Sequence, residues 1–140
     1  MFVQAVQQPD SLLPCNKVPA AIVGATLGGR VTNAISSGWV DQGEARCRYY
    51  LRAPGADTTS RIYILYIQPA EDYDGLKEVA EGAQDVPGVG DDAHTYVDAD
   101  NHRHWITAVL RGRISVTVTA PPGDFASGKK LAILALGRYR

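Results

Sequence analysis

From Arg113 to Thr119, Ile114, Val116 and Val118 alternate with Ser115, Thr117 and Thr119. Successive side chains of a strand point to opposite faces, so this pattern describes a strand with one apolar face and one wet face. An Arg111-Gly112 turn joins it to an apolar run from His104 to Leu110, and Asp98-Ala99-Asp100-Asn101 joins that run to a short one from Ala93 to Val97. Strands linked by connections this short pair antiparallel, because a parallel crossover needs a dozen or more residues. The C-terminal half is therefore expected to be a three-stranded meander, and the remaining segments must be compatible with it.

Upstream, Ala45 to Ala53 reads as a strand with Cys47, Tyr49 and Leu51 on one face. Arg61 to Gln68 is apolar on both faces, as a strand inside a sheet is. Pro54-Gly55-Ala56-Asp57 between them signals a turn, which makes the pair a hairpin. Three stretches carry helical spacing. Lys17–Leu27 has Val18, Ala21, Ile22 and Ala25 on one side, Pro19 in its first turn and Gly28-Gly29 as a stop. Asp72–Gly82 has Tyr73, Leu76, Val79 and Ala80, and Phe125–Tyr139 has Leu131, Leu134 and Ala135. Residues 30–43 contain Ser36-Ser37-Gly38 and Asp41-Gln42-Gly43 and read as loop. The expected fold is α+β, a single antiparallel sheet of about five strands with helices packed on it, in the order α-β-β-α-β-β-β-α. Residues 1–14, with Pro9 and Pro14, read as an extended N-terminal arm, and residues 15–140 as one α+β domain. A chain of 140 residues suits one domain with a real core.

The composition excludes several functions. With 45% apolar and 21% charged residues the chain is ordinary globular protein. A net charge of −1 favours neither nucleic acid nor an anionic membrane as partner. No apolar run is long enough to span a bilayer. Met1 to Gln8 has no basic segment followed by an apolar one, so no export signal is read there. Gly28-Gly29 follows no strand and precedes no Gly-Lys-Ser/Thr, which rules out a phosphate loop, and no Gly-x-Ser-x-Gly elbow occurs. Neither a cofactor nor a catalytic residue is expected.

Three groups of side chains remain. Asp91, Asp92, His94, Asp98, Asp100, His102 and His104 form the densest polar cluster. Its plainer reading is an acidic β-turn with surface histidines. Its sharper reading is a transition-metal site, or a metal-dependent hydrolase, using His94, His102 and His104. Tyr49, Tyr50, Tyr63 and Tyr66 concentrate in the first hairpin. They reflect strand propensity or form an interaction face for a partner. The two cysteines, Cys15 and Cys47, are either buried thiols or one disulfide closing a loop of about 33 residues. Such a bridge contributes roughly 3.5 to 4 kcal/mol in the chain-entropy model.

Leu13-Pro14-Cys15, Cys47-Arg48-Tyr49 and Val86-Pro87-Gly88-Val89-Gly90-Asp91-Asp92-Ala93, followed by a strand, an Arg-Gly turn, an alternating strand and a last helix with Leu131-Ala132, have a familiar arrangement. From about Pro14 to Arg138 the chain resembles small exported bacterial proteins of unknown function, many of them lipoproteins. It is also similar to extracellular sensor domains of actinobacterial receptor kinases. The resemblance implies a disulfide between Cys15 and Cys47 and a periplasmic or cell-surface location, with the export signal removed or absent from this sequence. It implies no active-site residue. The expected function is a non-catalytic exported module that recognises a partner protein at the envelope, with a small-molecule sensor as the alternative.

Overall fold

The computed structural model describes residues 13–39, 44–55, 59–80 and 82–140. The arm expected over residues 1–14 falls outside them except for Leu13 and Pro14, which open the first helix. The described elements run α1 (Pro14–Lys17), α2 (Ala20–Leu27), β1 (Arg30–Trp39), β2 (Glu44–Arg52) and β3 (Arg61–Pro69). A 3-10 turn (Ala70–Asp72) leads into α3 (Tyr73–Val79), and β4 (Gln84–Asp85), β5 (Asp92–Val97), β6 (His104–Leu110), β7 (Ile114–Ala120) and α4 (Phe125–Arg138) follow. All strands join one antiparallel sheet in the order β1-β2-β3-β7-β6-β5-β4. It consists of two meanders that meet where β3 pairs with β7, Ile64 opposite Thr119 and Pro69 opposite Ile114.

The α+β class and the single antiparallel sheet are as expected, but the expectation of about five strands in the order α-β-β-α-β-β-β-α is wrong. Among the described residues the sheet has seven strands. One missed strand is β1, which had been read as loop. It pairs with β2 along its length, with an irregularity between Val31 and Asn33. An edge strand buries little, so its sequence carries Thr32, Asn33, Ser36 and Ser37 without an apolar rhythm. The other is β4, two residues long and too short for any periodicity. The helix expected over 17–27 begins only at Ala20, and a separate short helix, α1, ends at Lys17. The residue before a proline is pushed out of helical conformation, and Val18, before Pro19, sits at φ −124° and ψ 77°.

α1, α2 and α4 cover one face of the sheet. Between them and the strands lies the core: Cys47, Tyr49, Leu65, Ile106, Val116 and Val118 from the sheet, Val18 and Val23 from the N-terminal helices, Leu131, Ala135 and Leu136 from α4. The Tyr49 hydroxyl lies inside this core and donates to the Val18 carbonyl at 2.7 Å, while Arg138 Nε donates to the Lys17 carbonyl at 2.9 Å. These two bonds satisfy carbonyls that the break at Pro19 leaves without helical partners. Asp124 caps α4 by accepting from Ser127 N, and it also accepts from the Tyr63 hydroxyl on the sheet. α4 lies so close to the sheet that a Cβ on Gly128 would stand 2.8 Å from Ile106 Cδ1 and 3.0 Å from Ala120 Cβ. Val86 and Val89 are buried and Gly90 has φ +60°, with the Val109 carbonyl 2.7 Å from where its Cβ would be. The Val-Pro-Gly-Val-Gly segment thus serves to lead the chain into β5.

Cys15 and Cys47 form a disulfide, with their Cα atoms 5.1 Å apart. It ties α1 to the middle of β2. Replacing both by alanine is expected to lower the unfolding free energy by roughly 3 to 4 kcal/mol, since the unfolded chain regains loop entropy and Cys47 leaves a void in the core. Urea titration measures this, and an unchanged midpoint would contradict it. A second test is Gly128→Val, which overpacks the α4–sheet contact and is expected to cost about 1–3 kcal/mol in the same titration.

Candidate functional site

The second face of the sheet carries Arg46 and Arg48 from β2, Ile64, Tyr66 and Gln68 from β3, Ser115, Thr117 and Thr119 from β7, Trp105, Thr107 and Val109 from β6, and Asp92, His94 and Tyr96 from β5. The alternation in β7 had marked Ser115, Thr117 and Thr119 as the wet side, and this is overturned, because all three are buried. The neighbouring strands bear large side chains that close over these short ones. Thr107 and Thr117 share a hydroxyl–hydroxyl bond at 2.9 Å, and the Arg103 guanidinium donates to Thr119 Oγ1 at 3.0 Å and to the Ile62 carbonyl at 2.6 Å.

Over this polar strand the large residues leave a cleft of about 230 Å³. Thr107 and Thr117 make its floor, Glu44, Tyr66 and Gln68 one wall, and His94, Tyr96 and Trp105 the other. Leu76 and Val79 of α3 overhang it, Val79 being 79% exposed at the rim. The Trp105 ring lies between those of Tyr66 and Tyr96, 5.8 Å from each and tilted by only 18° and 10°. Arg46 stands over the outer face of Tyr66 at 5.8 Å, a cation–π contact. The Gln68 amide donates to Glu44 at 3.1 Å, and Glu44 also faces Arg46 at 3.7 Å.

His94 is 1% exposed. Its Nδ1 lies 3.3 Å from the Tyr73 hydroxyl. Burial first, then the Asp92 charge, pushes the Tyr73 phenol well above its ordinary range, so it keeps its proton. Burial also lowers the His94 pKa, and the Lys77 ammonium lowers it further against the opposing pull of Asp92 and Asp85. The imidazole is therefore neutral at pH 7. Its Nε2 and the Trp105 Nε1 are both buried without a hydrogen-bond partner among the described residues. Buried polar atoms are nearly always paired, and both of these belong to residues that line the cleft.

A larger hollow of about 630 Å³ lies at the outer end of the sheet, lined by β4, the end of β5, His104 and the first turns of α4. None of the unpartnered buried polar atoms found among the described residues lines it.

The structure separates the three histidines read as metal candidates. His94 is on the cleft face, His104 is on the opposite face with its ring edge-on to Phe125 at 6.1 Å, and His102 sits in the β5–β6 turn at φ 59°. Asp98 shapes that turn by accepting from the backbone of Asp100 and Asn101. Among the described residues no group of three or more His, Cys, Asp or Glu is placed to hold a metal ion. The four tyrosines also divide. Tyr49 and Tyr63 are buried in the helix-side core, whereas Tyr50 and Tyr66 are half-buried on the other face. Only Tyr66 of the four lines the cleft. The pairing of Trp105 and Tyr96 with it was missed because it depends on β7 lying between β3 and β6. The alternation of Tyr96 and Trp105 in their own strands was the available signal.

Because the folded-state pKa of His94 lies below its unfolded value, protons bind the unfolded chain more readily. Stability is full above about pH 6.5 and falls as pH drops below it. The lowered Asp124 carboxyl adds its own loss only near pH 4 and below: burial raises that pKa, but the Tyr63 hydroxyl, Ser127 and Arg61 together outweigh it. The urea midpoint is therefore expected to decline from pH 7 to pH 5, and less steeply in His94→Gln, which does not titrate. Equal slopes would contradict the assignment. No protein-family model matches this chain and no curated protein matches it, so the chemistry of the cleft carries the functional reading.

Proposed function

We propose that this chain is a non-catalytic binding module of the cell envelope, periplasmic or on the cell surface, and that its ligand site is the cleft beneath α3. The observation that carries this reading is a cleft of about 230 Å³ walled by the rings of Tyr66, Trp105 and Tyr96, with the buried His94 beside them. The disulfide supports an oxidising compartment. No described helix is long and apolar enough to cross a membrane.

A cleft of this size favours the small-molecule version over protein docking through the tyrosine hairpin, since two of those tyrosines are spent in the core. One observation favours a protein partner elsewhere. Among the described residues β1 pairs only with β2, and its Ile35 is 44% exposed, so among them its outer edge is open to strand addition.

A thermal-shift screen of envelope metabolites tests the proposal. A ligand present at 100 times its Kd stabilises by about 2.7 kcal/mol, enough to raise Tm by several degrees. Val79→Trp, at the exposed rim, is expected to abolish the shift while leaving the Tm of the free protein within about a degree. A shift unchanged in this variant would place the ligand outside the cleft. An empty screen, together with a partner captured from the envelope and lost on Ile35→Lys, would favour the edge-strand reading.

A further inference from the structure

We propose that two copies of this chain dock face to face about a two-fold axis, the acidic half of each sheet face, which bears α3, resting on the bare basic half of the other. The contact does not depend on what the cleft binds.

The sequence separates its charges. Residues 30–61 contain five arginines and three carboxylates, whereas residues 71–100 contain ten carboxylates and one lysine. The sheet order carries these two segments to opposite ends, β1-β2-β3 at one and β5-β4 with α3 at the other. A chain with a net charge of only −1 is thereby strongly dipolar.

The basic half is uncovered among the described residues. α1, α2 and α4 lie on the other face, and α3 packs over β6. Ile35, Arg48 and Ile64 stand opposite one another across β1, β2 and β3, with Tyr50 and Ile62 paired beside them. Ile35 and Arg48 are exposed and the other three half-buried. Among the described residues no carboxylate forms an ion pair with Arg48 or Arg52. A surface of aliphatic side chains and unpaired arginines is matched by one of aliphatic side chains and carboxylates.

The acidic half offers that match. α3 exposes Val79 beside Glu78, and Glu71, Asp72 and Asp74 are exposed at its start. Glu78 has no ion-pair partner among the described residues. Ile35 and Val79 are two of the four large hydrophobic side chains exposed among those residues, and they stand on the same side of the sheet, toward its two ends. The two halves also fit in relief, since one carries a helix and the other none. Turning a second copy by 180° about an axis parallel to the strands makes the two faces meet and exchanges their ends. Each α3 then lies on the other copy's arginines, and both contacts form at once. A head-to-tail chain would leave one half bare at either end, whereas the two-fold pair closes.

Sedimentation equilibrium from micromolar to millimolar protein tests this. A dimer is expected in about 50 mM salt, with a Kd tenfold or more weaker in about 500 mM, where the Debye length falls to about 4 Å. Arg48→Glu and Glu78→Arg are each expected to weaken the dimer tenfold or more and to leave the circular dichroism spectrum unchanged, because both side chains are exposed. The two substitutions in one chain reverse the charge on both sides of each contact, so the double variant is expected to associate more tightly than either single one. A chain that stays monomeric at millimolar concentration in low salt would overturn the proposal, as would a Kd that neither substitution changes or a double variant no tighter than the single ones. Species that grow beyond the dimer would overturn the two-fold arrangement. A monomer that binds phosphatidylglycerol vesicles, and loses them in Arg48→Glu, would also overturn it and assign the basic half to an anionic lipid surface.

Discussion

The pairing of β3 with β7 holds the molecule together. Ile64 lies opposite Thr119 and Ile67 opposite Val116, so partners some fifty residues apart in sequence share one ladder. Each meander alone is a short run of hairpins with a bare edge. Joined, they make one sheet wide enough for three helices on one face and a cleft on the other. Closing so long a loop costs entropy before any contact offsets it, so this ladder is expected to form late in folding. The Cys15–Cys47 bridge and the Tyr49 hydroxyl then fasten the N-terminal helices to the sheet, from the opposite side to the cleft.

The same ladder explains why a strand of serine and threonine is buried. On the helix side, β7 supplies Val116 and Val118 to a dense core. On the other side it supplies short hydroxyl side chains, over which Tyr66 from β3 and Trp105 from β6 approach one another until their rings stack. A valine at Thr117 would fill the floor about as well but would leave the Thr107 hydroxyl alone. The floor is satisfied internally, whereas the two ring nitrogens above it are not.

Much of the fold was legible in the sequence. His104–Leu110 and the helix from Phe125 matched their expected positions because their periodicity is strong and their turns carry Gly112 and Gly123. What escaped were the elements whose identity depends on neighbours. β1 is an edge strand with few apolar residues, and β4 is a two-residue bridge. The wet face of β7 is dry only because large residues flank it on both sides. The site was legible in fragments. His94 was singled out for its charge-rich surroundings, and Tyr66 for its aromatic hairpin, but the partners that give each its role, Tyr73 and Trp105, come from other elements. No local pattern announces a hydrogen bond between a helix at residue 73 and a strand at residue 94. The disulfide was reached through resemblance to a family pattern and not from the spacing of two cysteines.

The account stands on the charge of one buried ring. His94 is 1% exposed, its Nδ1 meets the Tyr73 hydroxyl at 3.3 Å, and burial disfavours its charged form, so the cleft is bordered by a neutral imidazole. Long-range ¹H–¹⁵N correlation spectra of His94 read this directly. At pH 7 the free protein is predicted to show one protonated and one bare ring nitrogen. A fully protonated imidazolium would contradict the account.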